Sequence, residues 1–229
     1  MATPQDLATA YRDTRGRITE LCQGISPDVA SSRVPATPDW SVRDLVSHLT
    51  VIAAEPVAGN LPGNDQQAWM DEGMARRREA SVADLLTEWN EAGPAFEGII
   101  ESMGEALRNV VYDVAVHEHD LRHALGRPGA RDTPAVQIGL EALLDQLGDR
   151  VREHELAAVR VRIDDAEEEV VCGDGNPSVT LAGDRFELFR LLANRRSRNQ
   201  VLSARWTGDP ERYLGALEAM PYPEQDIDE

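Results

Sequence analysis

The sequence predicts an α+β protein in two parts: a helical bundle over residues 1–153 and a small α+β domain over residues 154–229. In the first part, apolar residues recur every three or four positions, which is the spacing of one helix face. In the second part, the stretches AVRVRI and SVTLAG alternate apolar and polar residues, a pattern typical of half-buried strands. A chain of 229 residues is long enough to bury a hydrophobic core in each part.

The helices of the first part are predicted from their apolar stripes and from local start signals. The motifs SVRD, from Ser41, and SVAD, from Ser81, have the spacing of a capping box and predict helix starts. Pro94 is expected to kink or split its helix. Residues 55–74 are rich in proline and glycine and predict a long loop. The five stripes cover about residues 7–25, 42–52, 85–103, 105–125 and 134–153.

The second part predicts strands and helices at short intervals. Besides AVRVRI and SVTLAG, the stretch VLSARW has the composition of a strand. The stretch GDRFELFRLLANRR predicts a short helix with Asp184 as its N-cap, and GDPERYLGALEAM predicts a last helix. The acidic run over residues 164–169 is interpreted as a solvated strand end or turn. This mixture predicts a small α+β domain.

The composition argues against several classes of function. A net charge of −18 disfavours nucleic acid, whose phosphates require a basic footprint, and equally an anionic membrane surface. No stretch approaches the roughly 18 apolar residues of a transmembrane helix, and no signal-peptide core is present. We therefore expect a cytoplasmic protein, in which Cys22 and Cys172 are not expected to form a disulfide. All 23 basic residues are arginine, which excludes Schiff-base chemistry by a lysine of this chain.

The stretch DVAVHEHDLRHALG, from Asp113 to Gly126, contains three of the five histidines. On a helical wheel, Asp113 and His117 lie one turn apart, on or beside the apolar stripe, whereas His119 and His123 lie on the opposite face and are expected to meet solvent. The first pair has two interpretations. In one interpretation, the two residues form a hydrogen-bonded pair in the core, since a buried carboxylate requires a partner. In the other, they supply two ligands of a metal site.

A third metal ligand would have to come from another helix. His48 lies at the border of the apolar stripe of the second predicted helix, where a side chain can reach into a cavity between helices. The same position also fits an ordinary half-exposed histidine. His154, near the end of the first part, is expected to be exposed. Spacing alone therefore leaves the metal interpretation open.

Two longer motifs extend this pattern. The first, TPDWSVRDLVSHL, contains Trp40 and His48; the second, DVAVHEHDLRHALGRPG, contains Asp113, His117 and Asp120. They resemble motifs of the mycothiol-dependent maleylpyruvate isomerase family, a branch of the metal-binding bundles of the DinB kind. The stretches ADLLTEWNEAGPAFE and FELFRLLANRRSRNQVLSARWTGDPERYL resemble the family's third helix and C-terminal domain. The resemblance covers nearly the whole chain and implies a DinB-like four-helix bundle with an appended α/β domain.

The resemblance also implies a metal site. The family holds a metal, usually zinc, with a histidine on the second helix and an acid and a histidine on a later helix. Carried over residue by residue, these ligands are His48, Asp113 and His117. The family has glutamate at the acidic position, and aspartate is one methylene shorter but remains a competent zinc ligand. The sequence does not separate zinc from nickel, iron or manganese, so the implied cofactor is a divalent metal, with zinc first.

The resemblance further implies mycothiol as a thiol cosubstrate and an essential arginine on the C-terminal domain. The candidates for this arginine are Arg195 and Arg196, with Arg198 close by, because arginine clamps a substrate carboxylate with two parallel hydrogen bonds. The alternative is that these arginines are exposed and balance an acidic surface. Asn194 stands where family members commonly have a glycine.

The expected function is that of a metal-dependent thiol S-transferase or cis–trans isomerase. Its partners would be a small-molecule thiol, bound as a thiolate, and a small electrophile to which the thiolate adds. We expect a monomer or a homodimer. The alternative is a non-catalytic metal- or ligand-binding protein with a stress or regulatory role.

Overall fold

The computed structural model describes residues 2–229, which form two compact units, residues 2–129 and residues 130–229. The first unit is helical with one small hairpin, and the second combines helices with a sheet. The predicted α+β class is therefore confirmed. Within residues 2–229, no helix is long and apolar enough to cross a membrane.

The first unit is a bundle whose long helices enclose the core. Its elements are α1 (Pro4–Cys22), α2 (Pro27–Ala30), β1 (Arg33–Val34), β2 (Thr37–Ser41), α3 (Val42–Val57), α4 (Gln66–Arg76), α5 (Val82–Met103), a 3-10 turn (Gly104–Leu107) and α6 (Arg108–Ala124). Helix α5 packs against α1 and α3, while α6 packs against α1 and also contacts α3. Strands β1 and β2 form an antiparallel hairpin that leads into α3.

Capping boxes set the starts of two long helices, as the sequence predicts. The Ser41 hydroxyl accepts a hydrogen bond from the backbone N–H of Asp44, and the Asp44 carboxylate accepts one from the Ser41 N–H. Ser81 and Asp84 repeat the arrangement at the start of α5. An N-cap of this kind contributes about 1 kcal/mol. The Ser41 box fixes where α3 begins, and thereby the turn on which His48 lies.

The core of the bundle is formed by the predicted apolar stripes. Leu45, Ile100 and Leu121 are fully buried, as is Trp89. The Trp89 Nε1 donates to the Tyr11 hydroxyl at 2.8 Å, so the buried indole has its hydrogen bond. Burying each such apolar side chain contributes about 1.5–3 kcal/mol, which holds the helices in the positions that bring the candidate ligands together.

Two expectations about the bundle differ from the structure. The expected loop over residues 55–74 is partly helical, because α3 continues to Val57 and α4 follows. Helix α4 lies close against α3 at Gly73, where a Cβ would come within 2.6 Å of Val51 Cγ1. Pro94 does not split α5, which runs unbroken from Val82 to Met103. Packing of α5 against two neighbouring helices offsets the backbone hydrogen bond that proline removes.

The second unit contains a four-stranded sheet within residues 130–229. Its elements are α7 (Pro134–Glu153), β3 (Val159–Ile163), β4 (Glu168–Cys172), β5 (Val179–Gly183), α8 (Arg185–Leu192), α9 (Arg198–Ser203), β6 (Arg205–Thr207), a 3-10 turn (Glu211–Tyr213) and α10 (Leu214–Leu217). The strand order is β4-β3-β5-β6, with β3 and β5 parallel and the other pairs antiparallel. Helix α7 packs against α8 and β4.

Helix α7 belongs to the second unit, although the sequence analysis placed it at the end of the first part. The structure divides the chain between Gly129 and Ala130, not near residue 153. Helices α7 and α8 approach closely at Gly139, where a Cβ would come within 2.6 Å of Phe189 Cε2. An apolar stripe shows that a helix face is buried but not which unit covers it, so periodicity alone could not place this boundary.

The second unit also differs from prediction in its smaller elements. Asp184 caps α8 as expected, accepting from the Glu187 N–H at 2.8 Å. Strand β4 was not predicted, because its sequence EEVVC lacks the alternating pattern. The stretch VLSARW was predicted as a strand, but its first half ends α9 and only Arg205–Thr207 is strand. The last predicted helix is reduced to a 3-10 turn and the short α10.

Candidate metal centre

Three side chains from two helices of the first unit meet at one point. His48 lies on α3, and Asp113 and His117 lie one turn apart on α6. The His48 Nε2 is 3.4 Å from Asp113 Oδ2, and the His117 Nε2 is 3.5 Å from Asp113 Oδ1. One nitrogen or oxygen atom from each residue lies within 4.8 Å of the other two. The structure thus brings together the three residues that the sequence analysis selected.

The donor set of this cluster fits a divalent metal ion. Two imidazoles and one carboxylate are a common composition of catalytic zinc sites. Both ring nitrogens of His48 and the Oδ2 atom of Asp113 are buried, and no described residue forms a hydrogen bond with them. A buried polar atom without a partner typically costs about 1–3 kcal/mol. A cation coordinated by these atoms would remove that cost.

The charges in the cluster depend on one another. Burial on its own would raise the pKa of Asp113, but His117 and His48 beside it lower that pKa well below its usual range. Burial on its own would lower the pKa of His117, but Asp113 and Asp120 raise it to about 9. At neutral pH the metal-free cluster therefore pairs an ionised Asp113 with a protonated His117, and a metal ion bound at the Nε2 of His117 would displace its proton.

Asp120 orients one of the candidate ligands. It is 0% exposed, and its Oδ2 lies 3.0 Å from the Nδ1 of His117. Because an ionised carboxylate can only accept hydrogen bonds, this contact keeps the proton on Nδ1 and leaves Nε2 on the side of Asp113. The sequence motif contains Asp120 without indicating its role. Its position three residues after His117, on the same side of the helix, was the signal that could have identified it.

Trp40 packs over both histidines of the cluster. Its ring centroid is 4.9 Å from that of His48 and 6.0 Å from that of His117, while the two imidazole rings are 5.0 Å apart. Trp40 is half-buried and lies on β2, immediately before the Ser41 cap. The indole therefore restricts how either imidazole can turn. The sequence motif likewise contains Trp40 without indicating this contact.

The expectation that the opposite face of α6 meets solvent was wrong for its first half. His119 is 2% exposed and Glu118 is fully buried, while His123 is half-buried. The Glu118 carboxylate accepts hydrogen bonds from the guanidinium groups of Arg17 on α1 and Arg122 on α6. The helical wheel assumed one buried face, but α6 packs against α1, α3 and β1.

The two candidate arginines lie in the second unit, between α8 and α9, and both are buried. The Arg196 guanidinium donates to both carboxylate oxygens of Glu187 and, through Nη1, to Glu229 Oε1 at 2.8 Å. Arg195 Nη1 donates to the carbonyl oxygen of Ala193 at 3.0 Å. Exposure on an acidic surface, the alternative interpretation of these arginines, is therefore wrong.

The backbone conformation of Asn194, before the arginine pair, explains why asparagine can stand where glycine is common. Asn194 has a φ of +54°, in the left-handed region that glycine and asparagine adopt most readily. Its side chain also donates to the Leu217 carbonyl and accepts from the N–H groups of Ala219 and Met220. Asparagine can thus replace glycine here without loss of the turn.

Comparisons with known proteins bear on the first unit in particular. A family model described as Mycothiol maleylpyruvate isomerase N-terminal domain matches residues 11–108. Residues 11–108, less than half of the chain, are therefore similar to the N-terminal domain of this family. The matched region contains His48 and ends before Asp113 and His117. No curated protein matches the chain in sequence.

Solved structures extend the likeness to most of the chain. A crystal structure of a histidine-to-alanine variant of the mycothiol-dependent maleylpyruvate isomerase superposes with a TM-score of 0.61 at 13% identity. A second crystal structure of the mycothiol-dependent maleylpyruvate isomerase gives a TM-score of 0.55 at 12% identity. Each match covers 85% of this chain and 92% of the other. At such identities the likeness shows a shared fold.

Proposed function

We propose that this protein is a metal-dependent enzyme that holds a low-molecular-weight thiol as a thiolate for addition to a small electrophile. The observation that carries the proposal is the cluster of His48, Asp113 and His117, whose donor atoms converge within 4.8 Å and are in part without hydrogen-bond partners. Three protein ligands leave at least one coordination position for a substrate, which distinguishes catalytic from structural zinc sites.

Each residue of the cluster has a definite part in this proposal. His48 and His117 would supply nitrogen ligands, His117 after release of its Nε2 proton, and Asp113 would supply the single anionic ligand. A divalent ion and one carboxylate would leave one formal positive charge, which suits an anionic thiolate ligand. When bound, such an ion lowers the pKa of a coordinated thiol so that the thiolate persists near neutral pH. Asp120 and Trp40 hold the imidazoles in the orientation that the ligands require.

Mycothiol is the thiol that the comparisons favour. The matched family model and both crystal structures are named for mycothiol and maleylpyruvate isomerase. Addition of a thiolate to a cis-enoyl carbonyl compound, rotation about the former double bond and loss of the thiol would give an isomerase. Release of the adduct would give an S-transferase. The reducing cytoplasm is the matching compartment, and both cysteines are unpaired and buried.

Arg195 and Arg196 remain the proposed residues for binding the carboxylate of an anionic electrophile. Arginine binds a carboxylate with two parallel hydrogen bonds, and both residues lie on the connection between α8 and α9. Arg196 already pairs with Glu187 and Glu229. For Arg196, the proposal therefore requires that a substrate carboxylate replace one of these partners.

Metal analysis combined with a thiol assay tests the proposal. Protein purified without a histidine tag should contain about one divalent ion per chain. In the presence of mycothiol and maleylpyruvate, or of mycothiol and a chlorinated aromatic compound, it should convert the maleylpyruvate to its trans isomer or consume the thiol. Protein stripped of metal by a chelator should lose this activity and regain it with Zn²⁺. Metal-free wild type would contradict the proposed site.

A non-catalytic metal- or ligand-binding role is the second candidate function. The observation that favours it is the engagement of Arg196 by two carboxylates of its own chain, which leaves this arginine committed in the structure. Full metal occupancy without turnover, for mycothiol and for several other thiols with several electrophiles, would support this second role.

A further inference from the structure

The last eight residues of the chain, 222–229, form an extended segment without helix or strand. Residues 224–226 and 228 are exposed, and Ile227 is the buried apolar residue of the segment, at 3% exposure. We call this segment the C-terminal strap. Tyr222, at its start, is half-buried and donates to the Leu214 carbonyl, so beyond this point the segment has a single buried apolar anchor. Segments with few buried apolar contacts are among the parts of a protein that open most easily.

The strap is held against α9 by a specific set of polar contacts. The Gln200 side chain donates to the Ile227 carbonyl at 2.9 Å and accepts from the Ile227 N–H at 3.0 Å. The Ser197 hydroxyl donates to the Asp226 carboxylate. The paired contacts on Ile227 resemble the way in which an extended peptide is bound by main-chain hydrogen bonds.

The end of the strap fills a pocket formed by two arginines, which we call the arginine pocket. Glu229 Oε1 accepts from Arg190 Nε at 2.5 Å and from Arg196 Nη1 at 2.8 Å. The side chain of Arg190 is 0% exposed and that of Glu229 is 7% exposed. Glu187, on α8, binds the remaining edge of Arg196. Two guanidinium groups thus share the Glu229 carboxylate of the strap, and Arg196 also pairs with Glu187 of α8.

The two carboxylates differ in how firmly they are held. Glu187 belongs to a helix, whereas Glu229 belongs to the strap. Buried guanidinium groups require a paired anion, because an unpaired buried charge is strongly unfavourable. If the strap leaves, another carboxylate must take its place, or water must enter. The pocket is therefore built for a carboxylate but is not tied to the one that it holds.

We propose that the arginine pocket is a carboxylate-binding site and that the C-terminal strap is its intramolecular ligand, which competes with a carboxylate added from solution. This binding claim stands apart from the metal centre. Only its consequence for turnover, that the strap controls access of an anionic substrate to Arg196, rests on the proposed function.

The test measures binding of a fluorescently labelled peptide of residues 222–229 to the metal-free, full-length protein by anisotropy. Ile227→Asp removes the apolar anchor of the strap, and Glu229→Gln removes its charge. Each variant should bind the peptide about tenfold or more tightly than wild type, since a hydrogen bond to a charged group typically contributes that much. Asp228→Asn is the matched control, because Asp228 is exposed, and it should bind as wild type does. Succinate should displace the peptide from the Ile227→Asp and Glu229→Gln variants.

A second comparison places the binding in the arginine pocket. Arg196→Ala, combined with Glu229→Gln, should abolish the gain in peptide affinity. Circular dichroism would confirm that each variant is folded. If Ile227→Asp does not fold, Glu229→Gln still provides the test. Equal affinity of wild type and folded Glu229→Gln, or a gain that survives Arg196→Ala, would overturn the proposal. Metal content of the same variants should be unchanged, so a failure here is distinct from a failure of the metal site.

Discussion

The two clusters of charged and polar side chains in this protein are built in opposite ways. In the metal-ligand cluster of His48, Asp113 and His117, donor atoms converge, and several of them are without a hydrogen-bond partner. In the arginine pocket, the Arg196 guanidinium donates through all three of its nitrogens, to carboxylates of its own chain and to one backbone carbonyl. Both clusters are largely buried, so the difference is not one of exposure.

This difference indicates what each cluster requires. Convergent donors without partners are stable only if something outside the chain binds them, since buried polar atoms otherwise lose their hydration without compensation. A saturated cluster is stable by itself, and a ligand can enter only by replacing a partner. The two proposals therefore differ: an ion would complete the metal-ligand cluster, whereas a carboxylate from solution would have to replace a partner already present in the arginine pocket.

The largest effect is expected for loss of a ligand in the metal-ligand cluster. His48→Ala and His117→Ala should each lower metal affinity by more than the roughly 10–100-fold that loss of an outer-shell partner costs. The purified variants should contain almost no metal by elemental analysis. His154→Ala, at an exposed position, is the matched control and should retain the wild-type content. Equal metal loss in all three variants would show that the ion is bound elsewhere.

A substitution in the arginine pocket is expected to lower the free energy of unfolding. Arg196→Ala removes the arginine partner of the half-exposed Glu187 and leaves the buried Glu229 with Arg190, and losing a hydrogen-bond partner of a charged group typically costs about 1.5–3 kcal/mol. Urea unfolding of the metal-free protein should show this loss, while metal content stays at the wild-type level. If the arginine also binds substrate, the folded fraction should show a raised KM for an anionic electrophile. Unchanged stability would mean that the ion pairs contribute nothing.

Much of the metal centre could be predicted from the sequence because its residues carry a local signal. Asp113 and His117 are one helical turn apart, and the capping motif before His48 fixes its position on α3. The convergence of two helices could not be predicted from periodicity, which is local, and came only from the family resemblance. The burial of Glu118 and His119 was missed because an amphipathic pattern describes one buried face, whereas α6 is enclosed by several neighbours.

No local sequence pattern could have predicted the partners of Arg196. Glu229 lies 33 positions further along the chain and reaches Arg196 through the strap, which has no periodicity to indicate its path. The predicted boundary near residue 153 differs from the observed division at residue 130 for a related reason, since α7 has an apolar face that either unit could cover. The sequence thus predicted which residues lie together on one helix, but not which residues distant in the sequence come into contact.

A smaller effect is expected at Asp120, which completes His117 in the metal-ligand cluster. Asp120→Asn keeps the shape but removes the charge that holds the Nδ1 proton of His117. Metal affinity should fall by roughly 10–100-fold, as for other outer-shell partners, and less than in His117→Ala. Competition with a chromogenic chelator measures this difference. Wild-type affinity in a folded Asp120→Asn variant would show that Trp40 and helix packing alone orient the imidazole.

The smallest effect is expected at a second saturated cluster, which serves as a reference for the first. Glu55, at the end of α3, is 7% exposed and accepts hydrogen bonds from Asn60, Arg76 and Arg77. Burial on its own would raise the pKa of Glu55, but these three partners lower it below the ordinary value of 4.5. Because the folded-state pKa is depressed, the stabilisation is fully present above about pH 4.5 and is lost as the pH falls through the folded-state pKa.

Glu55→Gln should therefore lower the free energy of unfolding by about 1–3 kcal/mol at pH 7, and the difference from wild type should shrink below pH 4.5. Urea titrations of both proteins at pH 7 and at pH 3.5 to 4 measure the two differences. Glu72→Gln, on the exposed face of α4, is the control and should change stability little at either pH. Metal content should be unchanged in both variants, because Glu55 is not one of the converging donors. A difference between wild type and Glu55→Gln that does not depend on pH would mean that packing, and not the carboxylate charge, stabilises this end of α3.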